Sequence, residues 1–163
     1  GLNIYDGAIT IQVWIKPMDT EKVSVILAKD KPKMTGMGNY YLGLRHKKII
    51  FGFSPDAGAD VWYESIPVLN ETDKWYFIAV THEFSSVKNT NIYLNGKEIK
   101  GIWKSDEAVD ENYKLSLPRA FTEEPLYIGK SSCNGFNYVG IIDELKIQNS
   151  LISKEELISN FTK

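Results

Sequence analysis

The chain carries one cysteine, Cys133, and two histidines, His46 and His82. A lone cysteine forms no intrachain disulfide and excludes a cysteine-rich zinc site. It does not argue against an oxidising compartment, because 163 residues are enough to fold on an apolar core without cross-links. The histidines are far apart in sequence, with no cysteine or serine elbow beside them. Charge of one sign is also missing. The 19 Lys and Arg are interspersed with 21 Asp and Glu, for a net charge of −2. With no basic stripe, nucleic acid and anionic membrane are poor partners. No apolar run approaches the ~20 residues that span a bilayer, so membrane insertion is not expected. Neither a signal peptide nor a repeat is visible. The chain opens on Gly1, shortly before strand code, which reads as a boundary inside a longer protein. The expectation is one domain, residues 1–163, excised from a larger parent.

What the chain has in quantity is aromatic: nine Tyr, seven Phe and four Trp. Aromatic residues favour strands, and exposed ones favour ligand surfaces. Strict alternation sets in at once, with Ile9, Ile11, Val13 and Ile15 on one face and Thr10, Gln12, Trp14 and Lys16 on the other. Further strand code follows at 23–28, 40–44, 49–53, 61–66, 75–80, 91–94, 98–103, 126–129 and 138–147. Asn95-Gly96 is a hairpin turn signal, since both residues tolerate positive φ. Residues 104–123 are polar and weakly patterned and read as a long loop. Ser153 is a good N-cap, with Glu155 and Glu156 in the first turn of a closing helix. Many short strands and one terminal helix argue for an all-β, two-sheet sandwich. Its first and last strands should be neighbours. Ile11, Val13, Phe77, Ala79, Ile92, Leu94, Ile128 and Leu145 should be largely buried, with Trp14 and Trp75 used in packing.

Four segments in this order resemble a known family. They are Ile9 to Pro17, Lys74 to Thr81, Asn91 to Lys97, and Leu126 to Gly129 continuing through Gly140 to Ile147 with the Ser153 to Leu157 coda. Together they are similar to the concanavalin A-like, laminin G-like jelly-roll domains. The resemblance implies two curved antiparallel sheets and a short C-terminal helix. It also implies an extracellular or cell-surface setting, as a unit appended to secreted hydrolases, lyases, sialidases or adhesins. It does not fix a ligand, because the family includes glycan binders, protein binders and spacers.

The residues bear on three kinds of chemistry. Glycoside hydrolysis needs two carboxyls ~5–9.5 Å apart, and here the acidic residues are isolated or adjacent, as at Asp143 and Glu144, so no enzyme is expected. The resemblance implies a structural calcium at a sheet edge, on an aspartate matched by Asp143, with Asp6, Gly36 and Gly38 as candidates for the remaining oxygens. Equally open is that Asp143 bonds the N–H groups of a β-bulge at Asp143-Glu144. For a carbohydrate, aromatic platforms and hydrogen-bonding side chains are needed. The candidates are Trp62, Tyr63, Trp103, Tyr40 and Tyr138 with Arg45, and additionally Tyr41, Phe136, Asn39, Asn134 and Asn137. In the pairs Trp62/Tyr63 and Tyr40/Tyr41, one member must face away from the core unless a loop covers it. Asn70-Glu71-Thr72 and Asn160-Phe161-Thr162 match the N-glycosylation pattern, with Phe161 expected to pack. The reading is a non-catalytic recognition module that binds a glycan or polysaccharide. The alternative is a spacer, or an adhesion domain for a cell-surface or matrix protein.

Overall fold

The computed structural model describes residues 2, 4, 7–29, 39–54, 60–84, 89–105, 125–132 and 135–162. Among the described residues eleven strands and one helix follow in order: β1 (Ala8–Pro17), β2 (Ser24–Lys29), β3 (Tyr40–Arg45), β4 (Lys48–Phe53), β5 (Val61–Ser65), β6 (Tyr76–Glu83), β7 (Thr90–Leu94), β8 (Lys97–Ile99), β9 (Gly101–Ser105), β10 (Tyr127–Ile128), β11 (Gly140–Gln148) and α1 (Lys154–Phe161). They form two antiparallel sheets, ordered β11-β1-β6-β7-β8 and β10-β2-β3-β4-β5-β9. Among the described residues no helix is long and apolar enough to cross a membrane.

The alternation in β1 sets the layers. Ile9, Ile11, Val13 and Ile15 pack between the sheets against Leu42, Leu44, Ile49, Phe51 and Phe53. Burying such side chains contributes roughly 1.5–3 kcal/mol each. The opposite face of the five-stranded sheet is covered by the C-terminal segment. There Leu157 packs with Phe77, Ala79 and Tyr93, while Trp14 lies 5.3 Å from Phe77 and 5.8 Å from Phe161. Polar groups on that face are matched too. Thr10 Oγ1 donates to Ser150 O at 2.6 Å, and Asn160 Nδ2 donates to Gln12 Oε1 at 3.0 Å. Ser153 caps α1, its Oγ accepting from Glu156 N at 3.1 Å. Trp14 therefore does pack, but under the helix rather than between the sheets. Trp75 meets it edge-on at 6.5 Å and stays 40 % exposed.

Of the residues expected inside, Ile11, Val13, Phe77, Ala79 and Ile92 are buried, and Leu94 and Leu145 are partly buried against the core. Ile128 is not: it is 54 % exposed, on a two-residue strand at the sheet edge. The strand expected at 98–103 is two strands. Lys97–Ile99 pairs with β7, and Gly101–Ser105 pairs with β5 in the other sheet, so the chain changes sheets at Lys100. The Asn95-Gly96 turn forms with φ of 50° and 77°. The β3–β4 turn uses His46 and Lys47 at φ of 49° and 63°, with no glycine to ease it. It is held from outside: Lys47 N donates to Thr20 O at 2.7 Å, and Lys47 O accepts from Val68 N at 2.8 Å.

One polar side chain sits deep between the sheets. His82 is fully buried, its ring 4.6 Å from Phe84, 5.3 Å from Phe53, 5.4 Å from Phe51 and 5.6 Å from Trp103. Nδ1 lies 2.7 Å from Thr90 Oγ1, while Nε2 is buried without a hydrogen-bond partner among the described residues. Burial pushes the imidazole pKa down to about 3, so the ring is neutral.

Candidate functional site

The outer face of the six-stranded sheet carries the site. It is the opposite side from the core and from α1. Side chains on alternate strand positions share a face, and cross-strand register places them in rows. One row is Tyr41, Gly52, Trp62 and Lys104, from β3, β4, β5 and β9. The next is Gly43, Ile50, Glu64 and Ile102, and beyond it Arg45 stands opposite Lys48. Gly52 is required where it is. A Cβ there would lie 2.3 Å from Tyr41 Cε1 and 2.8 Å from Val61 O, so the Tyr41 ring lies over a bare stretch of backbone. Trp62, in the same row, is half-buried, and its indole N–H is buried without a hydrogen-bond partner among the described residues. An unmatched buried donor costs free energy.

Glu64 organises the charges. Only 4 % of its side chain is exposed, and its Oε1 accepts from both Lys48 Nζ and Lys104 Nζ, the latter at 3.1 Å. Burial pushes its carboxyl pKa up, but the two lysine hydrogen bonds and charges outweigh that and hold it below the ordinary value. Arg45 is exposed. Asp60 lies on the far side of Trp62 and accepts from Ser54 Oγ at 2.5 Å. Four residues along a strand correspond to roughly 13 Å, beyond the ~9.5 Å limit for paired glycosidase carboxyls. Asp60 and Glu64 are therefore not spaced as such a pair.

The remaining candidates fall elsewhere. Tyr40 is corrected to the core: it is fully buried, its hydroxyl donates to Leu2 O at 2.9 Å, and burial pushes its pKa up to about 12. Its neighbour Tyr41 is the outward member. The signal was in the sequence, because Tyr40 shares its phase with Leu42 and Leu44. Tyr63 and Trp103 are likewise corrected to the inner face, rings 5.7 Å apart against the core, with Trp103 5.9 Å from Phe53. Tyr138 packs on the core; its hydroxyl donates to Ile141 O at 3.3 Å, and burial raises its pKa. Asn39 is buried and brackets Ile4, Oδ1 accepting from Ile4 N and Nδ2 donating to Ile4 O, both at 2.9 Å. Thus Trp62 and Arg45 remain on the outer face, joined by Tyr41, Lys48, Glu64 and Lys104. No local pattern marks the last three, because Glu64 meets its lysines from 16 and 40 residues away.

Asp143 sits in the bulge. The β1–β11 register slips between Gln12 and Trp14, Glu144 takes φ of 47°, and Asp143 Oδ1 accepts from Glu144 N at 2.8 Å. Asp6, Gly36 and Gly38 lie outside the described residues. Among the described residues no group of three His, Cys, Asp or Glu could hold an ion. Calcium takes six to eight oxygens, and Asp143 alone does not constitute such a set.

The family profile described as "Concanavalin A-like lectin/glucanases superfamily" matches residues 2–158. No curated protein sequence matches the chain. Among solved structures it is similar to a botulinum neurotoxin type C structure described as dependent on two ganglioside molecules for cell entry, at 16% identity and a TM-score of 0.59, covering 96% of this chain and 35% of that one. It is also similar to the neurotoxin DC binding domain in complex with rat synaptotagmin II, at 16% identity and a TM-score of 0.61, covering 96% and 35%. The serotype G binding domain matches at 16% identity and a TM-score of 0.60, covering 98% and 37%. The chain spans about a third of the length of each, and at such identity the likeness is one of fold.

Proposed function

Since the chain belongs to the concanavalin A-like lectin/glucanase superfamily, we propose that it is a non-catalytic recognition module working outside the cell, whose ligand is a glycan. The observation that supports this reading is the outer face of the six-stranded sheet, where Trp62 stands in register with a Tyr41 ring laid over Gly52, flanked by charged hydrogen-bonding groups. Aromatic surface takes the C–H face of a sugar ring, and charged side chains bond its hydroxyls. Ganglioside and synaptotagmin II are named for the neurotoxins, and fit a surface-binding role in general terms. The test is retention on immobilised polysaccharides, comparing the wild type with Trp62→Ala and Trp62→Tyr. Loss in Trp62→Ala with the melting temperature nearly kept, and partial retention in Trp62→Tyr, is expected. Equal retention by all three would overturn the placement of the site.

A second reading, a protein-binding face, is favoured by Ile102, which is 61 % exposed directly opposite Glu64. Ile102→Asp should then abolish capture of a protein partner and leave polysaccharide retention intact. The calcium implied by the family likeness is a separate proposal. Calcium should raise the melting temperature of metal-free protein and leave Asp143→Ala unchanged; no rise in the wild type would refute it.

A further inference from the structure

We propose that the ligand of this face is an acidic saccharide, with one carboxylate or sulfate at the Lys48–Lys104 pair beside Glu64, a second at Arg45 and Lys48, and a sugar ring packed on Trp62. This rests on the glycan reading and specifies it. The whole chain carries a net charge of −2, yet among the described residues this face has the opposite balance. Around the Glu64 row stand three cations, Arg45, Lys48 and Lys104, against one carboxylate that is nearly closed to solvent. Among the described residues the other carboxylate on the face, Asp60, lies beyond Trp62 and is engaged with Ser54.

One lysine would neutralise Glu64, but two converge on the same oxygen. The second is surplus, and both ammonium groups keep partly open side chains, at 28 % and 40 %. Arg45 stands directly across the ladder from Lys48. Like charges in that position repel, and an anion placed between them removes the repulsion. Lys104 is paired in register with Trp62, so a ring resting on the indole brings an acidic substituent to the lysine. The neighbouring Lys47 takes no part, being engaged with Glu21 at 3.1 Å.

Two matched pairs of probes test this by affinity electrophoresis: dextran against dextran sulfate, and polygalacturonate against its methyl ester. Wild-type protein should be retarded by the charged member of a pair and at least tenfold less by the neutral one, with retardation falling as salt is raised. Arg45→Gln and Lys104→Gln should each weaken it about tenfold, the lower end for a hydrogen bond to a charged group. Lys146→Gln, which makes the same change in net charge on exposed β11, should not. Trp62→Ala should abolish it. Equal retardation by neutral and charged members would overturn the acidic specificity and leave the glycan reading standing. Weakening by Lys146→Gln to the same degree, or none by Trp62→Ala, would show non-specific charge attraction and overturn the proposal. Retardation by none of the four would overturn both.

Discussion

Lowering the pH from 7 to 5 should destabilise this protein by about 2 kcal/mol through His82 alone. The imidazole is enclosed by Phe51, Phe53, Phe84 and Trp103, and burial pushes its pKa from 6.5 down to about 3. The folded state therefore keeps it neutral where the unfolded chain protonates it. A histidine depressed in this way contributes stability that is present in full above pH 6.5 and lost progressively as pH falls toward 3. Each pH unit below 6.5 costs about 1.4 kcal/mol, giving about 2 kcal/mol at pH 5 and about 3 at pH 4. Urea unfolding followed by tryptophan fluorescence reads this directly. With a slope of ~2 kcal/mol/M, the midpoint should move down by about 1 M between pH 7 and pH 5. In His82→Leu the difference between the two pH values should shrink by that amount, whatever the variant's absolute stability. The ring can also be followed by NMR in the folded wild type, which does not depend on any variant folding. Parallel pH dependences in the two proteins, or a His82 titration near 6.5, would refute the reasoning.

Leu157→Ala should cost ~2–5 kcal/mol in thermal unfolding, because it opens the contact of α1 with Phe77, Ala79 and Tyr93. Gly52→Ala should cost ~1–3 kcal/mol and weaken polysaccharide retention, since the new methyl displaces the Tyr41 ring; an unchanged melting curve would show that the ring yields freely. Glu64→Gln should lower stability at pH 7 and flatten its acid dependence. The carboxyl pKa is depressed in the fold, so its contribution is present above the ordinary value of 4.5 and lost as pH falls through the folded value. In metal-free buffer Asp143→Ala should cost about 1 kcal/mol, the worth of the hydrogen bond to Glu144 N, with Asp143→Asn recovering part of it.

Much of the fold was legible because its determinants are local. The alternation of Ile9, Ile11, Val13 and Ile15 states which residues share a face, Asn95-Gly96 states a turn through its stereochemistry, and Ser153 states a helix start through one side-chain oxygen. The phase of Tyr40 with Leu42 and Leu44 was equally readable, and it gives the outward position to Tyr41. Trp62 and Tyr63 show the limit. Alternation puts them on opposite faces, but their flanks, Val61 and Glu64, Ser65 and Ile66, do not mark which face is covered. That was decided by the strands packed across from β5. The break at Lys100 came from competition between two sheet edges for one continuous run. The positive φ of His46 and Lys47 is held by backbone partners at Thr20 and Val68. Glu64 became buried and bonded to two lysines only once β4 and β9 were laid on either side of β5, because a charge network joins residues that no local pattern relates.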